Sequence, residues 1–237
     1  SQAGGEDVDV WKRDVDLLLA ERARRQARHE VVVDLPDRLS VSQLVLLRRD
    51  PQSLARAIRR PLPRPPNPLA RRGTAFHAWL EMRYGKPQLL DIDELPGSAD
   101  AEAAPDDELA ALQEAFLASE WAARQPIEVE VPFELVIAGV VVRGRADAVF
   151  ATPAGGIEVV DWKTGRIPPD PAEEQARAVQ LAAYRLAWAE LRGLPLEQVG
   201  AAFHYVQDNV TVRPVDLLDA AGLEALITSV PAEEDET

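Results

Sequence analysis

The residues best suited to chemistry lie in two β-rich runs joined by a short turn. Asp147 belongs to the first run, and Asp161 and Lys163 close the second. The Pro-Ala-Gly-Gly sequence at 153–156 between them predicts a hairpin. A turn centred on Ala154 sets Asp147 directly opposite Asp161, with their Cβ atoms about 5 Å apart.

Strand periodicity extends this prediction to the neighbouring side chains. Because alternate residues of a strand share a face, Asp161 and Lys163 are expected to point the same way. On the first run, we expect one charged face that holds Arg143, Arg145, Asp147 and Val149. The other face is expected to be small and apolar, with Val142, Gly144, Ala146, Ala148 and Phe150.

Two facing carboxylates repel each other unless positive charge lies between them. A hard divalent cation such as Mg²⁺ or Mn²⁺ is the usual counter-charge for such oxygen ligands. The alternative is a cross-strand salt-bridge ladder in which Lys163 pairs with both acids. The spacing alone does not choose between a metal site and this ladder.

The surrounding elements predict an α/β domain in which a mixed central β-sheet is flanked by helices, with a helical N-terminal arm. Strands are predicted at 127–135, 140–150, 157–163, 201–206 and 210–215, after a short extended piece at 31–33. Helices are predicted at 7–29, 40–49, 51–60, 73–84, 106–123, 173–192 and 216–229. Residues 61–68, with five prolines, are expected to form an extended linker, and 86–105 an acidic loop.

Length and composition exclude several classes of site. The chain of 237 residues contains no cysteine, which excludes disulfides, thiol nucleophiles, zinc–thiolate sites and cysteine-held iron–sulfur clusters. It has no apolar run of about 18 residues that could span a membrane. The start lacks both an initiator Met and a signal-peptide pattern, so we expect a segment of a longer protein. The absence of cysteine fits a reducing cytoplasm, which is the expected location.

Charge is unevenly distributed along the chain. The formal net charge is −14, which is unfavourable for binding phosphates. Residues 48–72, however, hold eight arginines and one acid, whereas residues 91–134 hold thirteen acids and one arginine. A solvated face is the simplest interpretation of the basic stretch, and a nucleic-acid path or a domain interface is the other. We expect the isolated chain to bind DNA weakly.

Four motifs, in this order, resemble the core of the PD-(D/E)XK nuclease superfamily, and more narrowly its RecB-like branch. They are Gly-x-x-x-His at 73–77, Gly-Arg-Ala-Asp at 144–147, Val-Val-Asp-Trp-Lys-Thr-Gly at 159–165 and Gln-x-x-x-Tyr at 180–184. The resemblance spans about residues 40–206. It implies a restriction-endonuclease-like core and metal-dependent hydrolysis of DNA with Mg²⁺ or Mn²⁺.

The resemblance also implies a role for each motif residue. The implied metal ligands are His77, Asp147, Asp161 and the main-chain carbonyl of Trp162. Lys163 would stabilise the scissile phosphate, and Gln180 and Tyr184 would hold Lys163 and the phosphate in place. For His77 and Tyr184, the alternative from the residues alone is ordinary core packing.

The remaining polar residues have more open roles. Glu81 lies one helical turn beyond His77 and could orient it or a metal-bound water, or be a solvated helix residue. Arg143 and Arg145 could grip flanking phosphates or only balance the local acids. Arg71 and Arg72 are the arginines of the basic stretch that we assign to DNA binding. His29 and His204 belong to no motif and are interpreted as structural.

Wider matches suggest a context for the domain. Leu39-Ser40-Val41-Ser42 and the run from Arg71 to Glu81 are similar to the C-terminal nuclease domain of actinobacterial UvrD/RecB-like helicase–nucleases of the AdnAB type. This implies a motor domain in the same polypeptide, a partner helicase–nuclease subunit, and end resection on DNA, with single strands favoured. The chain lacks the Gly-x-x-x-x-Gly-Lys-Ser/Thr phosphate loop, so no ATPase activity is expected here.

The predicted organisation is an N-terminal helical arm or linker at 1–39, a nuclease domain at 40–230 and an acidic disordered tail at 231–237. A second hypothesis is a non-catalytic module that keeps the fold and guides a strand or docks a subunit. The complete set of motifs argues against it, because decayed copies lose an acid or the lysine. A third hypothesis, a hydrolase of small phosphate esters, is supported only by the bare metal site.

Overall fold

The structure is a computed structural model that describes residues 11, 15–22, 33–61, 68–85 and 106–229. The chain divides into two units, Ser1–Asp34 with Pro231–Thr237, and Leu35–Val230. In the first unit residues 15–22 are helical, in agreement with the predicted N-terminal helix. The remainder of that helix, most of the 31–33 strand, the 86–105 loop and the acidic tail lie outside the described residues.

The larger unit is built on a mixed sheet, as predicted. Its strands run in the spatial order β1-β3-β4-β5-β6, and β2 also pairs with β3. The strands are β1 (Arg38–Ser40), β2 (Glu128–Ile137), β3 (Val140–Ala151), β4 (Ile157–Lys163), β5 (Val199–Tyr205) and β6 (Val210–Val212). The β1–β3 and β4–β5 pairs are parallel and the other pairs are antiparallel.

The pairing of β3 leaves an opening in the sheet. Strand β2 covers one edge of β3 along residues 140–149. Strands β1 and β4 must therefore share the other edge, where β1 pairs with residues 141–143 and β4 with residues 148–151. Residues 144–147 of β3 lie between these two ladders and have no strand partner on that edge.

Helices cover both faces of the sheet. They are α1 (Val41–Arg49), α2 (Pro51–Arg59), α3 (Pro68–Arg83), α4 (Asp107–Leu117), α5 (Pro171–Arg192) and α6 (Ala220–Thr228). The capping box predicted at Ser40 is confirmed, with Ser40 and Gln43 each accepting a backbone hydrogen bond from the other. Helix α5 ends at Gly193, whose φ of 61° closes the helix in the left-handed region. No helix in the described part of the chain is long and apolar enough to cross a membrane.

Two helix boundaries differ from prediction by five residues or more. Helix α3 begins at Pro68, five residues before the predicted start, because proline is well suited to the first helical position and ends the predicted linker. Helix α4 ends at Leu117 instead of continuing to 123. Beyond it, the hydroxyl of Ser119 accepts a hydrogen bond from the Trp121 amide and turns the chain, so that the Trp121 ring is fully buried.

Two hydrophobic clusters occupy the opposite faces of the sheet. The first lies under α1, α2, α5 and α6, and the second lies under α3 and α4. Along β4 the two clusters receive alternate residues, with Val159 in the first and Val160 and Trp162 in the second. This is the regular alternation of a strand that is buried on both sides.

Strand β3 does not keep a single alternation, and the predicted division of its faces is wrong. Val142 and Ala146 pack in the first cluster, whereas Ala148 and Phe150, of the same parity, pack in the second. Val149, predicted on the charged face, is buried in the first cluster. The strand therefore exchanges its two faces at Asp147.

The neighbouring strand changes faces at the same level. On β2, Val129 packs in the second cluster and Val131 packs in the first. The residue between them, Glu130, has a φ of 48°, a left-handed conformation that is uncommon for a residue with a side chain. Glu130 and Asp147 thus mark a shared irregularity of two adjacent strands.

Candidate metal centre

The site lies where β3 and β4 separate. The predicted register is confirmed, since the ladder runs from Ala151↔Ile157 to Ala148↔Val160. The next pair in this register is Asp147 with Asp161, but the ladder stops before it. In its place the Trp162 amide donates a 2.7 Å hydrogen bond to Asp147 Oδ2. The carboxylate of Asp147 thus fills the opening in the sheet.

Helix α3 brings His77 to this opening. His77 Nδ1 lies 3.6 Å from Glu130 Oε1 and 3.7 Å from Asp147 Oδ1. One ligand atom from each of these three residues lies within 4.8 Å of the other two. An imidazole and two carboxylates at these separations form a donor set suited to Mg²⁺ or Mn²⁺.

Helix α5 orders the lysine from the opposite face of the sheet. Lys163 Nζ lies 2.7 Å from Asp161 Oδ2 and donates a 2.8 Å hydrogen bond to Gln180 Oε1. The Gln180 amide in turn donates to Asp161 Oδ1 and to the Tyr184 hydroxyl, at 2.7 Å each. The amide of Gln180 therefore fixes the positions of an acid, an amine and a phenol at once.

Burial and neighbouring charges together raise the pKa values of Asp147 and His77. Burial raises the pKa of Asp147, and the charges of Asp161 and Glu130 raise it further against the opposing effect of His77. Burial alone lowers the pKa of His77, but the carboxylates of Asp147, Glu130 and Asp161 together raise it to about 9. In the absence of a cation, a proton on His77 thus supplies the positive charge that the acids require.

The residues present fit a divalent cation better than a salt-bridge ladder. Lys163 pairs with Asp161, whereas Asp147 faces His77, so the ladder in which one lysine serves both acids is not formed among the described residues. Asp161 is satisfied within the chain, since Gln180 Nε2 donates to its Oδ1 and Lys163 Nζ lies 2.7 Å from its Oδ2. Asp147 has His77 as its ion-pair partner in the described structure, so a divalent cation beside Asp147 and Glu130 would compensate the buried negative charge that remains.

Trp162 and Glu81 are the two remaining residues that were predicted to lie near the metal. The Trp162 indole is buried against Phe116 and Trp121, at ring separations of 5.3 and 5.7 Å, so only its main chain faces the opening. Glu81 is 8% exposed, which excludes the solvated helix residue considered from the sequence.

The four arginines assigned to DNA binding differ in their surroundings. Arg143 pairs with Glu134 at 2.8 Å, and Arg145 lies 3.7 Å from Glu130 at the site. Arg72 donates to Asp106 at 3.1 Å and also contacts Glu108, so it joins α3 to the start of α4. Arg71 is exposed on α3.

Glu130 is the site residue that sequence reasoning missed. The only signal was its place in the strand at 127–135, where acidic and apolar residues alternate. Glu128 and Glu134 follow the same pattern, and they pair with Arg192 and Arg143 instead. Nothing in the local sequence separates Glu130 from these two acids, because its left-handed backbone becomes visible only in the folded sheet.

Comparison with known proteins places the chain in a family. The model for the PD-(D/E)XK nuclease superfamily matches residues 38–236. The chain belongs to this superfamily. A search of curated proteins finds no match. The solved crystal structure of SSO0001 is 18% identical, with 92% of this chain and 85% of that chain aligned at a TM-score of 0.40.

Membership of the superfamily confirms the coarse function predicted from the motifs. PD-(D/E)XK proteins are nucleases, which hydrolyse phosphodiester bonds with the aid of divalent metals. The cluster of His77, Glu130 and Asp147 provides a metal site of the expected chemistry in this chain.

Proposed function

We propose that this chain is the nuclease domain of a helicase–nuclease, and that it cuts DNA, with single strands favoured, at the opening between β3 and β4. The observation that carries the proposal is that side chains from both faces of the sheet meet at the acids of this opening. His77 from α3 reaches the acids from one face, and the Lys163–Gln180 pair reaches them from the other. Hydrolysis of a phosphodiester requires both a cation site and an ordered positive group beside the phosphate.

In this proposal, the cation is held by His77, Asp147 and Asp161, with the Trp162 carbonyl and, as an addition from the structure, Glu130. When bound, the cation would polarise the phosphate and the attacking water. The Trp162 amide holds Asp147 in place through the 2.7 Å hydrogen bond.

Lys163 has the second part of the chemistry. Its ammonium group would stabilise the charge that develops on the scissile phosphate, because it is oriented before the substrate arrives. Gln180 and Tyr184 fix that orientation, and the Phe203 ring, whose centroid is 4.9 Å from Lys163 Nζ, adds a cation–π contact to the ammonium. Arg143 and Arg145 would contact flanking phosphates, and the exposed Arg71 would extend the path.

The wider context rests on the motif resemblance. A motor domain in the same polypeptide, a partner subunit, a role in resecting DNA ends and a cytoplasmic location all follow from it. The net charge of −14 supports delivery of the strand by a motor in place of tight intrinsic binding. In this arrangement, residues 1–39 connect to the motor, 40–230 are the nuclease domain and 231–237 are a tail.

The direct test is cleavage of end-labelled single-stranded and duplex DNA in Mg²⁺ or Mn²⁺, before and after chelation with EDTA. Asp161→Asn is the inactive variant and Glu134→Gln is the matched control, because Glu134 is an acid of the same sheet with a 61% exposed side chain. We expect wild type and control to cut the single strand and Asp161→Asn to leave it intact. Equal cutting by all three would indicate a contaminating nuclease and oppose the proposal.

A strand-guiding module without catalysis gives a different result. It would bind the labelled strand in the presence of Mn²⁺ but release no fragments from it. That outcome, obtained with folded wild-type protein, would replace the nuclease proposal with the second hypothesis.

A further inference from the structure

One half of the sheet is uncovered next to the metal centre. Helices α3 and α4 pack over the part of β3 that follows Asp147, where Ala148 belongs to the second hydrophobic cluster. Before Asp147, Val142 and Ala146 belong to the first cluster, so the residues that alternate with them point to the side of the sheet that bears α3. We call this side of the sheet, before Asp147, the open face. Its residues include Arg38, Pro132, Glu134, Val136, Arg143 and Arg145.

Three arginines of the open face form a row that leads to the metal centre. Arg145 and Arg143 precede Asp147 on β3 at every second residue, so they lie on one face of the strand. Arg38 of β1 pairs with Val141, one further step along the same row. Because a strand advances about 3.3 Å per residue, the three arginines follow Asp147 at roughly 7, 13 and 20 Å. The positive charges therefore extend in nearly a straight line from the cation site.

The open face is basic in a chain whose net charge is −14. Its acid, Glu134, pairs with Arg143 at 2.8 Å. Arg145 lies 3.7 Å from Glu130, an acid of the metal centre, and its side chain is 40% exposed. Arg38 is exposed at the far end of the row. A polyanion that follows the three arginines would thus meet favourable charge along the row and reach the cation at its end.

Apolar side chains lie beside this row on β2. Val136, which pairs with Val141, is 68% exposed, and Pro132, which pairs with Arg145, is exposed as well. Such side chains can contact sugars and unstacked bases, which a single strand presents and a duplex encloses. Successive phosphates of a duplex also turn about the helix axis by about a tenth of a turn, whereas an extended strand can follow a straight row. The open face therefore fits a single strand better than a duplex.

We propose that the open face binds the single strand of DNA on one side of the scissile phosphate, and that Arg145, Arg143 and Arg38 contact successive phosphates. Because both repeats comprise the same number of backbone bonds, an extended nucleotide is about as long as two residues of a β-strand, ~7 Å, which is the step between the arginines. The inference rests on the proposed function, which places the scissile phosphate at the cation beside Asp147.

The inference gives Arg38 a function that no motif of the sequence assigns to it. Arg38 lies too far from the cation to take part in the chemistry, so its contact would hold the strand in the ground state and in the transition state alike. Phosphate contacts carry no base information, so the strand would be held without sequence preference.

The test removes the charge that lies farthest from the cation. Arg38→Gln should weaken binding of a single strand roughly threefold, the usual contribution of one exposed ion pair. It should also lower the slope of log K against log salt by about one, the value for one lost phosphate contact. Arg38→Lys keeps the charge and should retain most of the affinity. Arg59→Gln is the control, because Arg59 is an exposed arginine of α2, which packs on the opposite face of the sheet.

The experiment is a fluorescence anisotropy titration of the full chain against labelled oligothymidylate and a labelled blunt duplex, with Ca²⁺ as the cation and over a series of salt concentrations. Steady-state cleavage with Mn²⁺ then separates kcat from KM. We expect Arg38→Gln to raise KM for the single strand and to leave kcat unchanged, because the lost contact stabilises the bound strand and the transition state equally. Thermal melting identifies any variant that fails to fold, and Arg143→Gln tests the same row if Arg38→Gln does not fold.

The outcomes separate this inference from the proposed function. A folded Arg38→Gln protein with the affinity and KM of wild type, or an equal loss in Arg59→Gln, would overturn the open face as the path of the strand and leave the proposed nuclease intact. An equal loss of affinity for the blunt duplex would contradict the preference of this face for a single strand. Binding that depends on Arg38, without cleavage by wild type, would support the path and count against the proposed catalysis. An absence of binding by wild type at the lowest salt concentration would count against both.

Discussion

Two buried acids on β4 have opposite surroundings. Glu158, near the start of the strand, is 8% exposed and contacts Arg213 Nε at 2.6 Å and Arg124 Nη1 at 3.6 Å. Asp161, near its end, is 3% exposed and is paired with one cation, Lys163, while a second acid, Asp147, lies beside it in the site. One strand therefore carries an acid between two arginines and an acid that shares its surroundings with another carboxylate.

The difference separates a carboxylate that stabilises the fold from one that is available to a ligand. Two guanidinium groups compensate the single charge of Glu158. Asp161 lies beside Asp147, whose pKa is raised by burial and by the charges of Asp161 and Glu130. Burial of uncompensated charge persists only where the rest of the fold supports it, which is typical of functional sites.

The largest expected effect is on activity, at the Asp161 end of the strand. Asp161→Asn should reduce cleavage of single-stranded DNA about a thousandfold, because the cation and Lys163 both lose their charged partner. The same change should lower the free energy of unfolding by less than a change at Glu158 does, since relief of repulsion with Asp147 offsets the loss of the buried pair with Lys163. Steady-state cleavage and urea unfolding measure the two effects, and a large loss of stability would contradict the comparison.

The next effect is on stability, at the Glu158 end of the strand. Glu158→Gln should lower the free energy of unfolding by about 3 kcal/mol, because it leaves two arginines beside a buried neutral group. Cleavage per folded molecule should not change, since Glu158 does not contact the site. Urea unfolding with Glu134→Gln as the surface control tests this. A loss of unfolding free energy as small as that of the control would show that the ion pairs of Glu158 do not stabilise the fold.

A smaller effect is expected from the residue that orders Lys163. Gln180→Ala should reduce cleavage ten- to a hundredfold, the usual cost of removing a supporting partner from a metal or catalytic group. Gln175→Ala, an exposed position on the same helix, is the control and should retain wild-type activity. If both variants kept full activity, Lys163 would not depend on the α5 amide.

The smallest effect concerns the buried histidine His204. The Thr211 hydroxyl donates to Glu120 at 2.8 Å, so it must accept from His204 Nδ1 at 3.0 Å, which leaves the buried Nε2 atom unprotonated. Burial, opposed by Glu120 and assisted by Arg213, lowers the pKa of His204 to about 4. The ordinary value of a histidine in an unfolded chain is about 6.5.

The sign of the pH effect follows from that difference. Between about pH 6.5 and pH 4 the unfolded chain binds a proton that folded His204 does not accept, so stability falls as the pH is lowered through this range. The contribution is at most about 1.4 kcal/mol per pH unit. Unfolding at pH 7 and pH 5 should show a smaller acid-induced loss in His204→Gln than in wild type. An equal loss in both would mean that His204 is protonated without cost.

Local patterns predicted much of this molecule. The turn at 153–156 predicted the β3–β4 register, and strand periodicity placed Asp161 and Lys163 on one face, where the two side chains now lie 2.7 Å apart. Helical spacing likewise predicted the shared face of Gln180 and Tyr184, which are joined by a hydrogen bond. These relations hold because they depend on residues close together in the chain.

Other features were decided by the tertiary structure. The predicted division of β3 into one charged and one apolar face does not hold beyond Asp147, where the strand exchanges its faces opposite Glu130. Arg72 is assigned to DNA from its place in a basic stretch, and the folded chain adds two acidic partners from a distant segment, Asp106 and Glu108. Charge runs and motifs carry no information about partners that are distant in the chain.

The sequence by itself therefore determined the superfamily, the acids and lysine of β3 and β4, and the register that brings them close. Only the tertiary structure decided that β3 and β4 separate at that point and that Glu130 joins His77 there. The physical reason is the range of the forces involved: turns and strand periodicity act between near neighbours, whereas burial and charge compensation depend on every element that packs around the opening.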